Sequence, residues 1–286
     1  MSQSPSTLPE LSSEQARRYS RHILLPSMDW QGQERLLASH AVVVGLGGLG
    51  CSVAQFLAVS GVGKLTLIDD DMVELSNLQR QVLHGEANIG VNKAVSAKQQ
   101  LLTLNSSLVI EVITHRPAKA QLNELAQSAD VLVDCTDNLT SRNTLNEVSV
   151  SSKTALIAGA AIRMEGQVSC FFPNESHLKF DSSPSSTHSP TPAASKSTPP
   201  QPCYACLSYL FGEQGETCME SGVLAPVVGI IGTMQALETV KYLSGVASPP
   251  KGKVMLFDAA ISEWRTMAIP VNPQCPVCQT QMANDK

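Results

Sequence analysis

The sequence has no cluster of lysine and arginine, and its 20 basic residues are outnumbered by 25 acidic ones, for a formal charge of -5. A row of phosphates needs a row of cations, so nucleic acid and anionic membrane surfaces are excluded as partners. A protein or a small molecule is left. The first twenty residues carry Pro5, Pro9 and Glu10 and no apolar core, so neither a secretory leader nor a membrane anchor is expected, and the cytoplasm is the expected location. The charge-free run from Ala41 to Gly63 is long enough to span a bilayer. The glycines of Gly45-Leu-Gly-Gly-Leu-Gly50 instead break it into strand, turn and helix, because glycine weakens element interiors. No internal repeat is present. His22, His40, His84 and His115 show no ligand spacing with one another, so no role is assigned to them.

With 286 residues and 43% hydrophobic composition, the chain can build one large α/β domain or two small ones. Hydrophobic periodicity predicts strands at 41–45, 64–69, 108–113, 130–134 and 154–158, alternating with helices at 51–60, 92–104, 119–127 and 141–151. This alternation implies a Rossmann-like, doubly wound, mostly parallel sheet with helices on both faces. Beyond Glu165 the pattern changes to strands at 167–172, 253–257 and 264–269 with one long helix near 226–244, read as an additional antiparallel or mixed sheet region that packs on the first and extends it. Residues 173–202 are rich in Ser, Thr and Pro and poor in apolar side chains, and read as a flexible surface insertion.

Gly45, Gly47, Gly48 and Gly50 lie between a strand and a helix, where backbone N–H groups and the helix N-terminus can receive phosphate. Asp69 ends the next strand, within reach of ribose hydroxyls. A dinucleotide oxidoreductase would show both features. The stretch from Asp69 to Gln81, with Asp71, Ser76, Asn77, Leu78, Gln79 and Arg80, followed by Lys93, favours a nucleoside triphosphate: Arg80 and Lys93 can hold β- and γ-phosphate charge and stabilise departing pyrophosphate. Its plainer reading is a solvated turn. Asp137 and Asn138 follow the strand at 130–134, at the carboxyl end of the sheet where ligands bind. Asp137 can hold Mg²⁺ against the phosphates, or serve as a helix N-cap.

Of the eight cysteines, Cys203, Cys206, Cys275 and Cys278 form two Cys-x-x-Cys pairs, which together suit one closed, structural Zn²⁺ site. The rival is a pair of redox dithiols, disfavoured because neither pair reads as opening a helix in a thioredoxin-like pattern. Cys218 lies between the pairs in a polar stretch and is the candidate nucleophile, although Glu216 and Glu220 beside it discourage thiolate formation, and a passive thiol is the alternative. Cys51, Cys135 and Cys170 stand in apolar surroundings and are expected to be buried.

Arg18-Tyr-Ser-Arg21, Gly45-Leu-Gly-Gly-Leu-Gly50, Ser76-Asn-Leu-Gln-Arg80, Cys135-Thr-Asp-Asn138, Gly159-Ala-Ala-Ile-Arg-Met-Glu-Gly166 and the paired Cys-x-x-Cys together resemble the MoeB/ThiF/HesA family. That family shares its adenylation domain with ubiquitin-activating enzymes. The resemblance spans about residues 14–280 and implies a single adenylation domain, with a nucleotide-binding half at 14–160 and a carrier-binding and zinc half at 161–286. It implies ATP, Mg²⁺ and one structural Zn²⁺, with Gly48, Asp69, Asn77, Arg80, Lys93, Asp137 and Asn138 at ATP-site positions and Arg21 reaching the nucleotide of a neighbouring subunit in a homodimer. The implied reaction is adenylation of the C-terminal glycine of a ubiquitin-like sulfur carrier. Residues 159–166 resemble the branch acting on the MoaD-type carrier of molybdopterin synthesis, and the region around Leu256 and Trp264 resembles the ThiS branch of thiamine synthesis nearly as well. A non-catalytic zinc adaptor for ubiquitin-like proteins is the rival from another class. Arg163 and Glu165 either shape a channel for the carrier's tail or form a structural ion pair. No sulfurtransferase domain follows Cys278, so a separate sulfur donor protein is expected, and the insertion at 173–202 departs from the family pattern.

Overall fold

A computed structural model describes residues 8–173, 201–211 and 221–279. Three short helices, α1 (Ser13–Arg18), α2 (Ser20–Ile23) and α3 (Asp29–Ala38), precede the first strand and escaped the periodicity reading. Ser12 and Gln15 close a reciprocal capping box at the start of α1. There follow β1 (His40–Val44), α4 (Gly48–Ser60), β2 (Lys64–Ile68), α5 (Lys93–Leu104), β3 (Val109–Ile113), α6 (Lys119–Ser128), β4 (Val131–Asp134), α7 (Leu139–Ser152), β5 (Ala155–Ile162) and β6 (Glu165–Phe171). The described chain closes with α8 (Tyr204–Phe211), α9 (Ala225–Ser244), β7 (Lys253–Asp258) and β8 (Glu263–Ala268).

The eight strands form one sheet in the order β3-β2-β1-β4-β5-β6-β7-β8, parallel from β3 to β5 and antiparallel from β5 to β8. The C-terminal strands therefore extend the first sheet edge to edge. This is the expected extension of the parallel sheet by an antiparallel C-terminal region, and β6 makes the joint by pairing with β5 along its whole length.

Successive side chains of a strand point to opposite faces, and over the central strands β1, β4 and β5 both faces are covered. Ala41, Val43, Val131, Val133 and Ile157 join one core with α4, α5 and α9, while Val42, Leu132, Leu156 and Ala158 join a second core with α6, α7 and α8. Leu132 has no solvent exposure, and truncating such a residue to alanine costs about 2–5 kcal/mol. The 20-residue α9 enters through Pro226, stops at left-handed Gly245, and packs against α4, β5 and β6. No described helix is long and apolar enough to cross a membrane.

The sheet order reverses between β1 and β4, so the loops after these two strands diverge to opposite faces and open a crevice at their carboxyl ends. The functional residues gather there.

Candidate active site

A cleft of about 1300 Å³ lies over the carboxyl ends of β1, β2, β4 and β5 and continues across β6, β7 and β8. Its floor is the loop after β1. Gly45 has φ of +92° and its absent side chain would meet the Cys135 carbonyl oxygen at 2.8 Å; a side chain on Gly50 would meet the Gly45 carbonyl oxygen at 1.8 Å. Only glycine allows the loop to turn this tightly into α4. The helix begins at Gly48, three residues before the sequence expectation, and Gly47 caps it without a side-chain hydrogen bond. Gly47, Gly48 and Leu49 line the cleft, so the uncapped first turn offers its N–H groups to an anion.

Asp69, the first residue beyond β2, accepts the Leu46 N–H at 2.6 Å and the Asp71 N–H at 2.9 Å. Its carboxylate thus fastens the glycine loop to the next crossover besides facing the cleft. Burial pushes its pKa up, and the Leu46 N–H and the nearby Lys93 oppose that shift. Asn92 caps α5 and donates to the carbonyls of Asp69 and Asp71, which brings Lys93, at the first helical position, against Asp71 at 2.8 Å. The Lys93 side chain is 8% exposed, so its charge is held where an incoming phosphate would meet it already oriented. Ser76, Asn77, Gln79 and Arg80 also line the cleft, on a short helical turn at Leu75–Asn77; Arg80 rests on the Ser76 carbonyl at 3.1 Å. Leu78, named with them from the sequence, does not line it.

Asn138, not Asp137, caps α7, accepting the Ser141 N–H at 2.9 Å. Asp137 is left exposed in the cleft without a hydrogen bond among the described residues, available to a cation. Two residues escaped the sequence reading here. Asp134, fully buried at the end of β4, accepts both the N–H and the hydroxyl of Thr136, and Arg142 donates to the Thr136 carbonyl at 2.6 Å. Burial pushes the Asp134 pKa up while Arg142 and Thr136 pull it down. The peptide preceding Asp137 is therefore gripped on both sides. The signal that could have found Asp134 is a carboxylate closing an otherwise apolar buried strand, Val131–Asp134, which demands a partner.

Arg21 is not brought to the cleft. It is exposed on α2, next to Tyr19, which packs on Gly61 past the far end of α4 and hydrogen-bonds Asn105. Thirteen helical residues place that end roughly 20 Å from the glycine loop. Cys218 lies outside the described residues, as do residues 174–200 of the insertion.

Cys203, Cys206, Cys275 and Cys278 converge with all sulfurs within 4.8 Å of one another. Sulfur separations of 3.6 Å for Cys203–Cys275 and 3.7 Å for Cys206–Cys278 match the ~3.8 Å edge of a tetrahedron with 2.3 Å metal–sulfur bonds. Hydrogen bonding from the neighbouring thiols, Cys278 first, pushes the Cys203 pKa down against the opposing effect of burial. One of the pairs does stand at a helix start: Cys203 immediately precedes α8, where Asn146 accepts the Tyr204 N–H at 2.8 Å and sets the first turn. The cross-pairing of the two motifs still separates this cluster from two independent dithiols. Cys51, Cys135 and Cys170 are buried.

The model of the ThiF family matches residues 19–277. The chain belongs to the ThiF family. This ThiF-family chain is 42% identical to the molybdopterin-synthase adenylyltransferase of Escherichia coli over 94% of its own length and 98% of that protein's. It is 39% identical to the sulfur carrier protein ThiS adenylyltransferase of the same organism, over 91% of this chain and 94% of that one. The crystal structure of E. coli MccB shares the fold, with a TM-score of 0.72 at 23% identity over 91% of this chain and 74% of MccB.

Proposed function

We propose that the chain is an ATP-dependent adenylyltransferase that activates the C-terminal glycine carboxylate of a ubiquitin-like sulfur carrier of the molybdopterin-synthase type. The observation that carries this reading is the convergence of Arg80, Lys93 and Asp137 with the uncapped start of α4 in one cleft. A hydride-transfer enzyme has no use for that set, whereas a triphosphate and its leaving pyrophosphate do. The 42% identity to a molybdopterin-synthase adenylyltransferase, against 39% to a ThiS adenylyltransferase, favours the former carrier and keeps the latter as the second reading.

A C-terminal carboxylate with an ordinary pKa of about 3.5 is ionised at neutral pH and attacks the α-phosphate without a general base. No histidine lines the cleft among the described residues. Catalysis then comes from positioning and charge: the first turn of α4 and Arg80 receive the phosphates, Lys93 exchanges Asp71 for the β- and γ-phosphates, and Asp69 fixes the loop and presents its remaining lone pairs to the ribose. Asp137 is the carboxylate that would hold Mg²⁺, which neutralises triphosphate charge when bound. Arg163 and Glu165, both lining the cleft, are assigned to the channel for the carrier's tail.

The four cysteines fit Zn²⁺ in donor type, spacing and burial, and a closed four-sulfur site supplies folding energy rather than chemistry. We assign Arg21 to the cleft of a second copy in a homodimer, consistent with its place at the far end of α4. The domain halves at 14–160 and 161–286, a cytoplasmic location, a separate sulfur donor and a transient role for Cys218 after adenylation complete the reading.

ATP–pyrophosphate exchange by the purified protein tests it, with a MoaD-type carrier, a ThiS-type carrier, and versions of each lacking the terminal glycine. Exchange only with the intact MoaD-type carrier is expected. Exchange with the ThiS type alone transfers the protein to the second reading, and silence with both, from folded and metal-loaded protein, sinks adenylation.

A further inference from the structure

His84 is buried beneath the glycine loop with both ring nitrogens engaged, Nε2 at 3.0 Å from the Leu46 carbonyl oxygen and Nδ1 at 2.9 Å from Ser96 Oγ. A carbonyl only accepts, so Nε2 carries the proton and Nδ1 receives the Ser96 hydroxyl. The same residue, Leu46, gives its N–H to Asp69 at 2.6 Å. One peptide step before Gly47 is therefore held on both sides, from the β2 end by a carboxylate and from the 78–85 segment by an imidazole. The groups around the ring are few: Lys93 opposes its protonation across the α5 start, Asp69 sits beyond Leu46, and the Cys51 thiol from α4 shares the Leu46 carbonyl at 3.4 Å. Burial and Lys93 both keep the ring neutral.

We infer that His84 is a positioning residue of the nucleotide site, holding the Leu46 carbonyl so that the N–H groups from Gly47 to Leu49 stay turned toward the cleft. Neither peptide orientation nor φ of +92° at Gly45 is a default of the chain, and a loop meant to receive phosphate without rearranging needs such a hold. The inference that this hold serves ATP rests on the reading proposed above; the hold on the loop does not.

The test compares wild type with His84→Leu, which fills the space without a donor, and His84→Gln, whose amide can donate near the Nε2 position. Loss of one buried hydrogen bond is expected to raise amide hydrogen exchange at Gly47, Gly48 and Leu49 about tenfold in His84→Leu, and His84→Gln to restore most of the protection. In ATP–pyrophosphate exchange the same Leu variant should raise KM for ATP about tenfold with kcat within about twofold. Unchanged loop exchange in His84→Leu, or a Gln variant no better than Leu, would overturn the inference and leave the ring as core filling. Should His84→Leu not fold, Ser96→Ala decides, since freeing Nδ1 should raise loop exchange about threefold, and no change overturns the inference. If the loop responds as expected while wild type performs no pyrophosphate exchange, the positioning stands and the ATP reading fails.

Discussion

Asp137 and the N-cap Asn138 face the cleft at the entrance to α7, and about two turns further along that helix Asn146 approaches the sulfur of Cys203 at 3.6 Å. The two regions this helix joins are held differently. In the cleft, each loop is fixed by the chain's own polar groups: Leu46 between Asp69 and His84, Thr136 between Asp134 and Arg142. In the cysteine cluster, four buried sulfurs face one another, with a backbone N–H of Asn272 and the Asn146 amide as their polar neighbours. The cleft loops are thus held by hydrogen bonds within the chain, whereas the four mutually facing sulfurs present a donor set that a cation would complete.

The largest expected effect falls on the cluster. Chelation, or Cys275→Ser, should lower the apparent melting midpoint by about 10 °C or more, because a structural zinc site contributes on the order of 10 kcal/mol of binding energy. A midpoint that does not move would make the cluster as self-sufficient as the cleft. Asp137→Ala comes next: pyrophosphate exchange should fall about 100-fold in kcat while thermal melting stays unchanged, since the exposed carboxylate makes no hydrogen bond among the described residues. Arg142→Met should raise KM for ATP about tenfold by releasing the Thr136 carbonyl and so the Asp137 loop.

A smaller, signed effect concerns Asp134. Burial raises its pKa, so the folded state binds the proton more tightly than the unfolded one, and the charged form is a cost that grows as pH rises through the range above about 4. Asp134→Asn keeps an acceptor for Thr136 and removes that cost. Denaturant titrations at pH 5 and pH 8 should show the variant gaining stability relative to wild type toward the higher pH; the opposite slope would mean that Arg142 outweighs burial. The smallest effect is expected for Cys218→Ser, which should leave pyrophosphate exchange within about twofold, because acyl-adenylate formation precedes any use of a thiol.

Much of this was readable from the residues. The strand–helix alternation marked all five parallel strands, most plainly those whose apolar runs, Ala41–Val44 and Val131–Val133, are buried on both faces. The glycine spacing, the Asn77–Arg80 turn and the cysteine pairs each mark a place where few other residue types serve. What could not be read depended on distance in sequence. His84 and Leu46 are 38 residues apart, and Asp134 and Arg142 grip Thr136 from either side of a loop, so neither arrangement leaves a local period. The short helices before β1 carry no buried face long enough to repeat; none of the residues in α1 or α2 is buried. The antiparallel extension beyond Glu165 was legible as such, whereas the register that joins β6 to β5 is a matter of long-range pairing.

The most direct measurement is intact-mass spectrometry of a MoaD-type carrier incubated with ATP, Mg²⁺ and this protein in the absence of any sulfur donor. Addition of one adenylyl group to the carrier, lost when its terminal glycine is removed and absent with Asp137→Ala, is the predicted result; a carrier of unchanged mass beside folded, metal-loaded protein would contradict it.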